Sequence, residues 1–101
     1  MAQDLDPKFF ERADEFIQVA NRQMGTVENP QRVPTALIWS GARYAAWLNA
    51  SLSPSREVLI DNRDDMVEAF TAQFKQLLNE QFDYYIAHYD GLKASQVPPK
   101  T

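Results

Sequence analysis

Apolar side chains recur at three- and four-residue steps in three separate segments of the chain. In the first segment they are Phe9, Phe10, Ala13, Phe16, Ile17, Ala20 and Met24, which fall within an arc of about 120° on a helical wheel. Asp6 and Pro7 before this segment are typical of an N-cap and a first helical residue. Gly25 after it is typical of a helix end. The pattern predicts a first helix over residues 7–24.

The second apolar segment follows a polar connection over residues 25–33. Pro30 and Pro34 cannot both lie inside one regular helix, because a proline ring clashes with the carbonyl group four residues earlier. We therefore expect a short turn at Asn29-Pro30 and a second helix over residues 34–49. The side chains predicted to face the core are Leu37, Ile38, Gly41, Tyr44, Ala45 and Leu48.

Residues 51–61 interrupt the helical pattern, and Val58-Leu59-Ile60 fits either a helical turn or an extended segment. Asp61 or Asn62 is the expected cap of a third helix over residues 62–90, which ends before Gly91. Its apolar stripe is Met66, Val67, Phe70, Phe74, Leu77, Leu78, Phe82, Tyr85 and Tyr89. At roughly 43 Å this helix exceeds the ~27 Å of the first one.

These elements predict an all-α fold, a three-helix up-down bundle with a long C-terminal third helix. One helical domain is expected over residues 1–91, followed by a disordered tail over residues 92–101. Only three glycines occur in 101 residues, and such a chain rarely builds the many tight turns of a β-sandwich.

Composition excludes several kinds of chemistry. The chain has no cysteine and one histidine, His88, so thiolate sites and metal sites with two imidazoles are not available. The formal net charge is −4 and the ten cations are scattered, which disfavours nucleic-acid binding. No segment resembles a signal peptide or a membrane span. We expect a cytoplasmic protein without a cofactor, a nucleic-acid partner or a membrane partner.

Two polar groups are weak candidates for chemistry. Asp61, Asp64, Asp65 and Glu68 could together hold a hard cation such as Mg²⁺, but capping and dipole complementarity at a helix start explain them more simply. His88 lies one turn after Tyr84 without a nucleophile to complete a catalytic unit. Its position near a helix C-terminus is explained by the dipole.

The stronger candidate is a strip of Trp39, Arg43 and Trp47 at four-residue spacing, on the face of the second helix opposite its predicted core face. Tryptophan and arginine are enriched at interface hot spots, so the strip could bind a partner. Alternatively, both faces of a central helix are buried, with Arg43 held by a carboxylate such as Asp14. The sequence favours the buried alternative but leaves both open.

The end of the third helix is a second candidate surface. If the other helices cover only part of it, Phe82, Tyr85, Ile86 and Tyr89 require a partner, and a second copy of the chain would form a homodimer. Otherwise residues 51–61 or the tail fold back over them. The two alternatives are evenly balanced.

Three blocks of residues resemble a bacterial family described as domain of unknown function 3144. The blocks are Phe9-Phe10-x-x-Ala13-Asp14-x-Phe16-Ile17-x-x-Ala20-Asn21, Ala42-Arg43-Tyr44, and Phe70-x-x-x-Phe74 with Leu78, Phe82 and Tyr85. They span roughly residues 8–89 and are packing patterns. The resemblance implies a compact helical bacterial protein and transfers no functional residues.

The function that the sequence favours is a non-catalytic protein-binding or adaptor module. The alternative is a small metal- or ligand-binding enzyme that uses the acids from Asp61 to Glu68.

Overall fold

The computed structural model describes residues 6–95, with Ser95 described by its backbone alone. The helices are α1 (Phe9–Met24), α2 (Arg32–Leu52), α3 (Arg56–Ala87) and α4 (Tyr89–Ser95), and residues 6–95 contain no strand. The predicted all-α class is confirmed, and so is a long third helix, at 32 residues. The chain divides into two units, one with α1 and α2 and one with α3 and α4. The up-down bundle and the single domain over residues 1–91 stay predictions.

The start of α1 depends on Asp6, although the helix begins two residues later than predicted. Asp6 Oδ1 accepts a hydrogen bond from the Lys8 backbone N–H at 2.9 Å, and Oδ2 accepts one from Arg12 Nε at 2.7 Å. The Phe9 N–H bonds to the Asp6 carbonyl oxygen at 3.1 Å. Pro7 therefore lies in a capping turn, and Lys8 is the residue that precedes the helix.

A turn at Asn29-Pro30 leads into α2, as predicted. Asn29 Oδ1 accepts a hydrogen bond from the Gln31 N–H at 3.0 Å, and the Asn29 carbonyl oxygen accepts one from the Arg32 N–H at 3.1 Å. The helix spans Arg32–Leu52 instead of the predicted residues 34–49, so Pro34 lies in its first turn. A backbone N–H at this position would have no intrahelical acceptor, so proline loses no hydrogen bond there.

The predicted start of the third helix at residue 62 is wrong. Ser55 has an extended backbone and its hydroxyl oxygen accepts a hydrogen bond from the Val58 N–H at 3.2 Å, so it is the N-cap of α3. Neither glycine nor proline occurs from residue 55 to residue 87, and the helix continues without a break. Asp61 and Asn62 lie inside it and cap nothing.

The predicted end of the third helix, at residue 90, is also corrected. The helix ends at Ala87 with His88 as its C-cap, and Tyr89 begins α4. Gly91 lies inside α4 and stops nothing. Residues 92–95 are therefore helical, whereas the tail was predicted to begin at residue 92; residues 96–101 lie outside the described part of the chain.

Burial differs most from the sequence prediction. In the described part of the chain only Val33, at 5% exposure, is a buried hydrophobic residue. On α1, Ala13, Ile17 and Ala20 are half-buried, but the neighbouring phenylalanines are exposed. The predicted core face of α2 is also largely exposed, for example Tyr44 at 66%. Periodicity predicts which face of a helix can be buried, but burial itself requires a second layer.

Candidate protein-binding surface

The Trp39, Arg43 and Trp47 strip lies on the surface of α2. Trp39 is 63% exposed and Trp47 is 58% exposed, and Arg43 between them is exposed as well. Four-residue steps on an α-helix advance the side chain by only about 40° around the axis, so the three groups follow one another along one face. Among the described residues neither indole is a core residue, and the role of the strip as a partner surface stays a prediction.

Arg43 is held by Trp39. Its guanidinium carbon lies 5.5 Å from the centroid of the Trp39 ring, within the range of a cation–π interaction. The expected ion pair between Arg43 and Asp14 does not form. Asp14 Oδ2 instead accepts a hydrogen bond from Gln18 Nε2 at 2.6 Å, one turn along α1. Among the described residues Arg43 has no carboxylate partner, so its charge remains available.

Trp47 also has an aromatic neighbour that sequence reasoning assigned to the core. The Tyr44 and Trp47 rings lie 5.5 Å apart between centroids, at an interplanar angle of 43°. Both rings are exposed. The signal for this pair was its three-residue spacing on a helix, which places two side chains side by side.

A shallow groove of about 400 Å³ adjoins the strip at the start of α2. Its lining is formed by Asn29, Gln31, Arg32, Thr35, Ala36 and Trp39. Arg32 precedes Arg43 by eleven residues, which is close to three full helical turns, so the two cations lie on one face about 16 Å apart along the axis. The sequence of α2 contains no carboxylate. This face of the helix is therefore positively charged in a chain whose formal net charge is −4.

The second candidate surface is divided between two helices. Phe82 and Ile86 lie four residues apart on α3 and are 59% and 72% exposed, and Tyr89, at 56%, belongs to α4. Tyr85 is half-buried. The four side chains therefore do not form one continuous helical stripe, because the backbone changes direction at His88, where φ is −112° and ψ is 21°.

His88 has a structural position at the end of α3. Its Nδ1 donates to the Tyr84 backbone carbonyl oxygen at 2.8 Å, and its ring stacks on the Tyr84 ring at 4.2 Å between centroids. Since a carbonyl oxygen only accepts, the proton of a neutral imidazole is on Nδ1. The same carbonyl oxygen also accepts the His88 backbone N–H at 3.1 Å, so the imidazole adds a second hydrogen bond at the helix end.

The acids from Asp61 to Glu68 lie within α3 rather than at its start. The predicted explanation by capping is therefore wrong, and Glu57 is the acidic residue of the first turn. Arg63 and Asp64 form an ion pair at 3.5 Å between exposed side chains, which contributes little to stability. Residues 6–95 contain no group of three or more histidine, cysteine or carboxylate side chains arranged to hold a metal ion.

Comparison with known proteins adds a family. No described helix combines the length and the apolar character needed to cross a bilayer. No curated protein and no solved structure matches the chain. A family model described as Protein of unknown function (DUF3144) matches residues 9–86, which includes α1, α2 and all but the last residue of α3. Because the match covers well over half of the 101 residues, the chain belongs to the family Protein of unknown function (DUF3144).

Proposed function

We propose that the chain is a non-catalytic protein-binding module of the adaptor type, acting in the bacterial cytoplasm, and that the Trp39–Trp47 strip of α2 receives the partner. The observation that carries this proposal is the stacking of Arg43 on Trp39, at 5.5 Å, on an exposed helix face without carboxylates. Aromatic and arginine side chains supply a large part of the binding free energy at protein interfaces.

The indoles of the strip also have neighbours on their own helix, and such contacts favour an ordered binding surface. Trp39 is in contact with Arg43 and Trp47 with Tyr44, and all four residues lie on one helix. Each immobilised side chain costs about 0.5–1.5 kcal/mol when an interface orders it, so side chains that are ordered beforehand reduce that cost.

Charge defines the class of partner. Arg32 and Arg43 lie on one face of α2 with Trp39 between them, and no acid on this helix neutralises them. A complementary protein segment would place two carboxylates about 16 Å apart, with apolar or aromatic side chains between them against the indole. The partner is therefore an acidic, aromatic-containing protein segment.

Selection of random peptides on the immobilised full-length chain tests this proposal. We expect the wild-type protein to enrich peptides that combine Asp or Glu with aromatic residues. The Arg43→Glu variant should lose at least about tenfold in affinity for those peptides, because a charge reversal replaces attraction with repulsion. Arg22→Glu, which changes an exposed arginine of α1, is the matched control and should retain binding. Equal binding by Arg43→Glu and the wild type would refute the proposal.

A further inference from the structure

The α3 helix carries two adjacent columns of side chains that differ in exposure. The half-buried column consists of Leu59, Met66 and Gln73, and the open column consists of Ile60, Val67 and Phe74. Both advance by seven residues, which is nearly two full turns, so each column runs along one side of the helix. Ile60 is 63% exposed, Val67 56% and Phe74 51%. Phe82 and Ile86 extend the open side toward the end of α3, also exposed.

A groove of about 460 Å³ lies along the open side. Its lining is formed by Asp64, Val67, Glu68, Thr71, Ala72 and Lys75. The small side chains of Thr71 and Ala72 lie near the middle of this lining. The carboxylates of Asp64 and Glu68 lie toward the helix N-terminus, and the ammonium group of Lys75 lies toward the C-terminus. Small residues permit the close approach of a second helix.

The charges around this groove are self-complementary in the antiparallel sense. Glu68 and Lys75 are equally distant from the point between Thr71 and Ala72, on opposite sides of it. A two-fold axis through that point would place each Lys75 next to the Glu68 of a second copy. Arg63 and Glu80 are also equally distant from this point. The same register therefore places Arg63 of one copy and Glu80 of the other at the same level along the helix axes.

A parallel pair of α3 helices would lack this charge complementarity. The first four turns of α3 contain five carboxylates and only two arginines, and a parallel pair would align this acidic segment with its own copy. It would also align the two helix dipoles, whereas an antiparallel pair opposes them. Both effects favour the antiparallel arrangement.

The exposed apolar area of α3 is close to that of a standard interface. A fully buried aromatic side chain removes about 150–250 Å² from water, so each half-exposed apolar residue still offers on the order of 100 Å². Seven exposed apolar residues lie within an arc of about 160° that includes the open side of α3, namely Ile60, Val67, Phe70, Phe74, Leu78, Phe82 and Ile86. Together they approach the roughly 800 Å² per partner of a standard interface.

We propose that a second copy of this chain docks antiparallel on the open side of α3, with the two-fold axis between Thr71 and Ala72. The dimer of the two copies buries the open column and pairs each Lys75 with the second copy's Glu68. This surface shares no residue with the Trp39–Trp47 strip, so the inference goes beyond the proposed function and does not depend on it.

The relative orientation of the two α3 helices can be measured with a spin label on one introduced cysteine, because the natural chain contains no cysteine. A single spin label on Glu57→Cys, in the first turn of α3, reports the distance between the two copies. Antiparallel pairing about the proposed axis separates the two labels by roughly 44 Å along the helix axes, and parallel pairing places them at the same height. A distance near or above 40 Å is expected. A distance below about 25 Å would overturn the antiparallel arrangement.

Sedimentation equilibrium of matched variants tests the interface itself. Val67→Asp places a carboxylate on the open column and should weaken dimerisation at least about tenfold. Ala69→Asp introduces the same charge on the other side of α3 and should leave dimerisation unchanged. Since Val67 is more than half exposed, neither variant removes a core residue, and circular dichroism checks that helicity is retained. Equal effects of the two variants would overturn the proposed face.

A charge exchange tests the register. Lys75→Glu should weaken the dimer by about 2- to 30-fold, because two symmetric exposed pairs are lost. Adding Glu68→Lys should restore the affinity to within about twofold, and Lys93→Glu in α4 is the control for the change in net charge. A wild-type chain that is monomeric at high micromolar concentration, or a double variant that stays weak, would refute the proposal. Arg43→Glu should leave dimerisation intact, so failure here is distinguishable from failure of the proposed function.

Discussion

The guanidinium carbon of Arg43 lies 5.5 Å from the ring centroid of Trp39, so a cation covers part of an indole that is 63% exposed to solvent. The two residues are one helical turn apart, and both point away from the half-buried Ala45 on α2. This relationship places the charge and the aromatic surface of the strip at one position. Its consequences can be measured in the isolated protein.

Replacement of Arg43 by glutamine should expose Trp39 further. In a Trp47→Phe background, where Trp39 is the only indole, we expect acrylamide quenching of the fluorescence to increase. The free energy of unfolding should change by no more than about 1 kcal/mol, as expected for an exposed cation–π pair. Arg22→Gln in the same background is the control. An unchanged quenching constant for Arg43→Gln would show that the guanidinium group does not cover the ring in solution.

Ser55→Ala should destabilise the unit that contains α3 by about 1 kcal/mol, because the hydroxyl oxygen that accepts the Val58 N–H is removed. The measurement is urea unfolding, together with amide exchange at Val58 and Leu59, which should become faster. Ser51→Ala, near the end of α2, is the control and should have a smaller effect. If helix α3 began near residue 62 in solution, Ser55→Ala would change neither quantity.

The carboxyl group of Asp6 should titrate below its ordinary pKa of 3.8. Its hydrogen bond from the Lys8 backbone N–H lowers the pKa most, and its bond from Arg12 lowers it further. Since the folded pKa is lowered, the associated stability is present above pH 3.8 and is lost as the pH falls through the folded pKa. In a carbon NMR titration, Arg12→Gln should raise the pKa of Asp6 but leave it below 3.8.

The control for that titration is Arg22→Gln, at the other end of α1, which should leave the pKa of Asp6 where it is. A wild-type Asp6 that titrates at its ordinary value would contradict the capping turn around Pro7.

Titration with Mg²⁺ should leave the amide shifts of residues 61–68 without a saturable change. The acids of this segment lie on one continuous helix, and a site for a hard cation needs oxygen ligands that converge from several directions. Saturable shifts confined to residues 61–68, and lost in Asp61→Asn, would instead support the alternative of a metal-dependent enzyme.

The helix boundaries show how far local signals reach. Met24 was predicted as the last residue of the first helix and is its last residue in the structure. The start of α3 was predicted six residues too late, because the cap at Ser55 was less evident than the acids near residue 62. A cap is decided by a single side-chain hydrogen bond, and several nearby residues can supply one.

The sequence by itself determined the helical class, the amphipathic faces, the family resemblance that the comparison confirmed, and the grouping of Trp39, Arg43 and Trp47 on one face. These features depend on periodicity and residue type, which are local. Only the tertiary structure decided which apolar faces are exposed, that Arg43 stacks on Trp39 instead of pairing with Asp14, and that His88 divides the last helical segment. Burial depends on which helices pack together, and the spacing of residues along one helix shows which side chains can meet but not which of these contacts form.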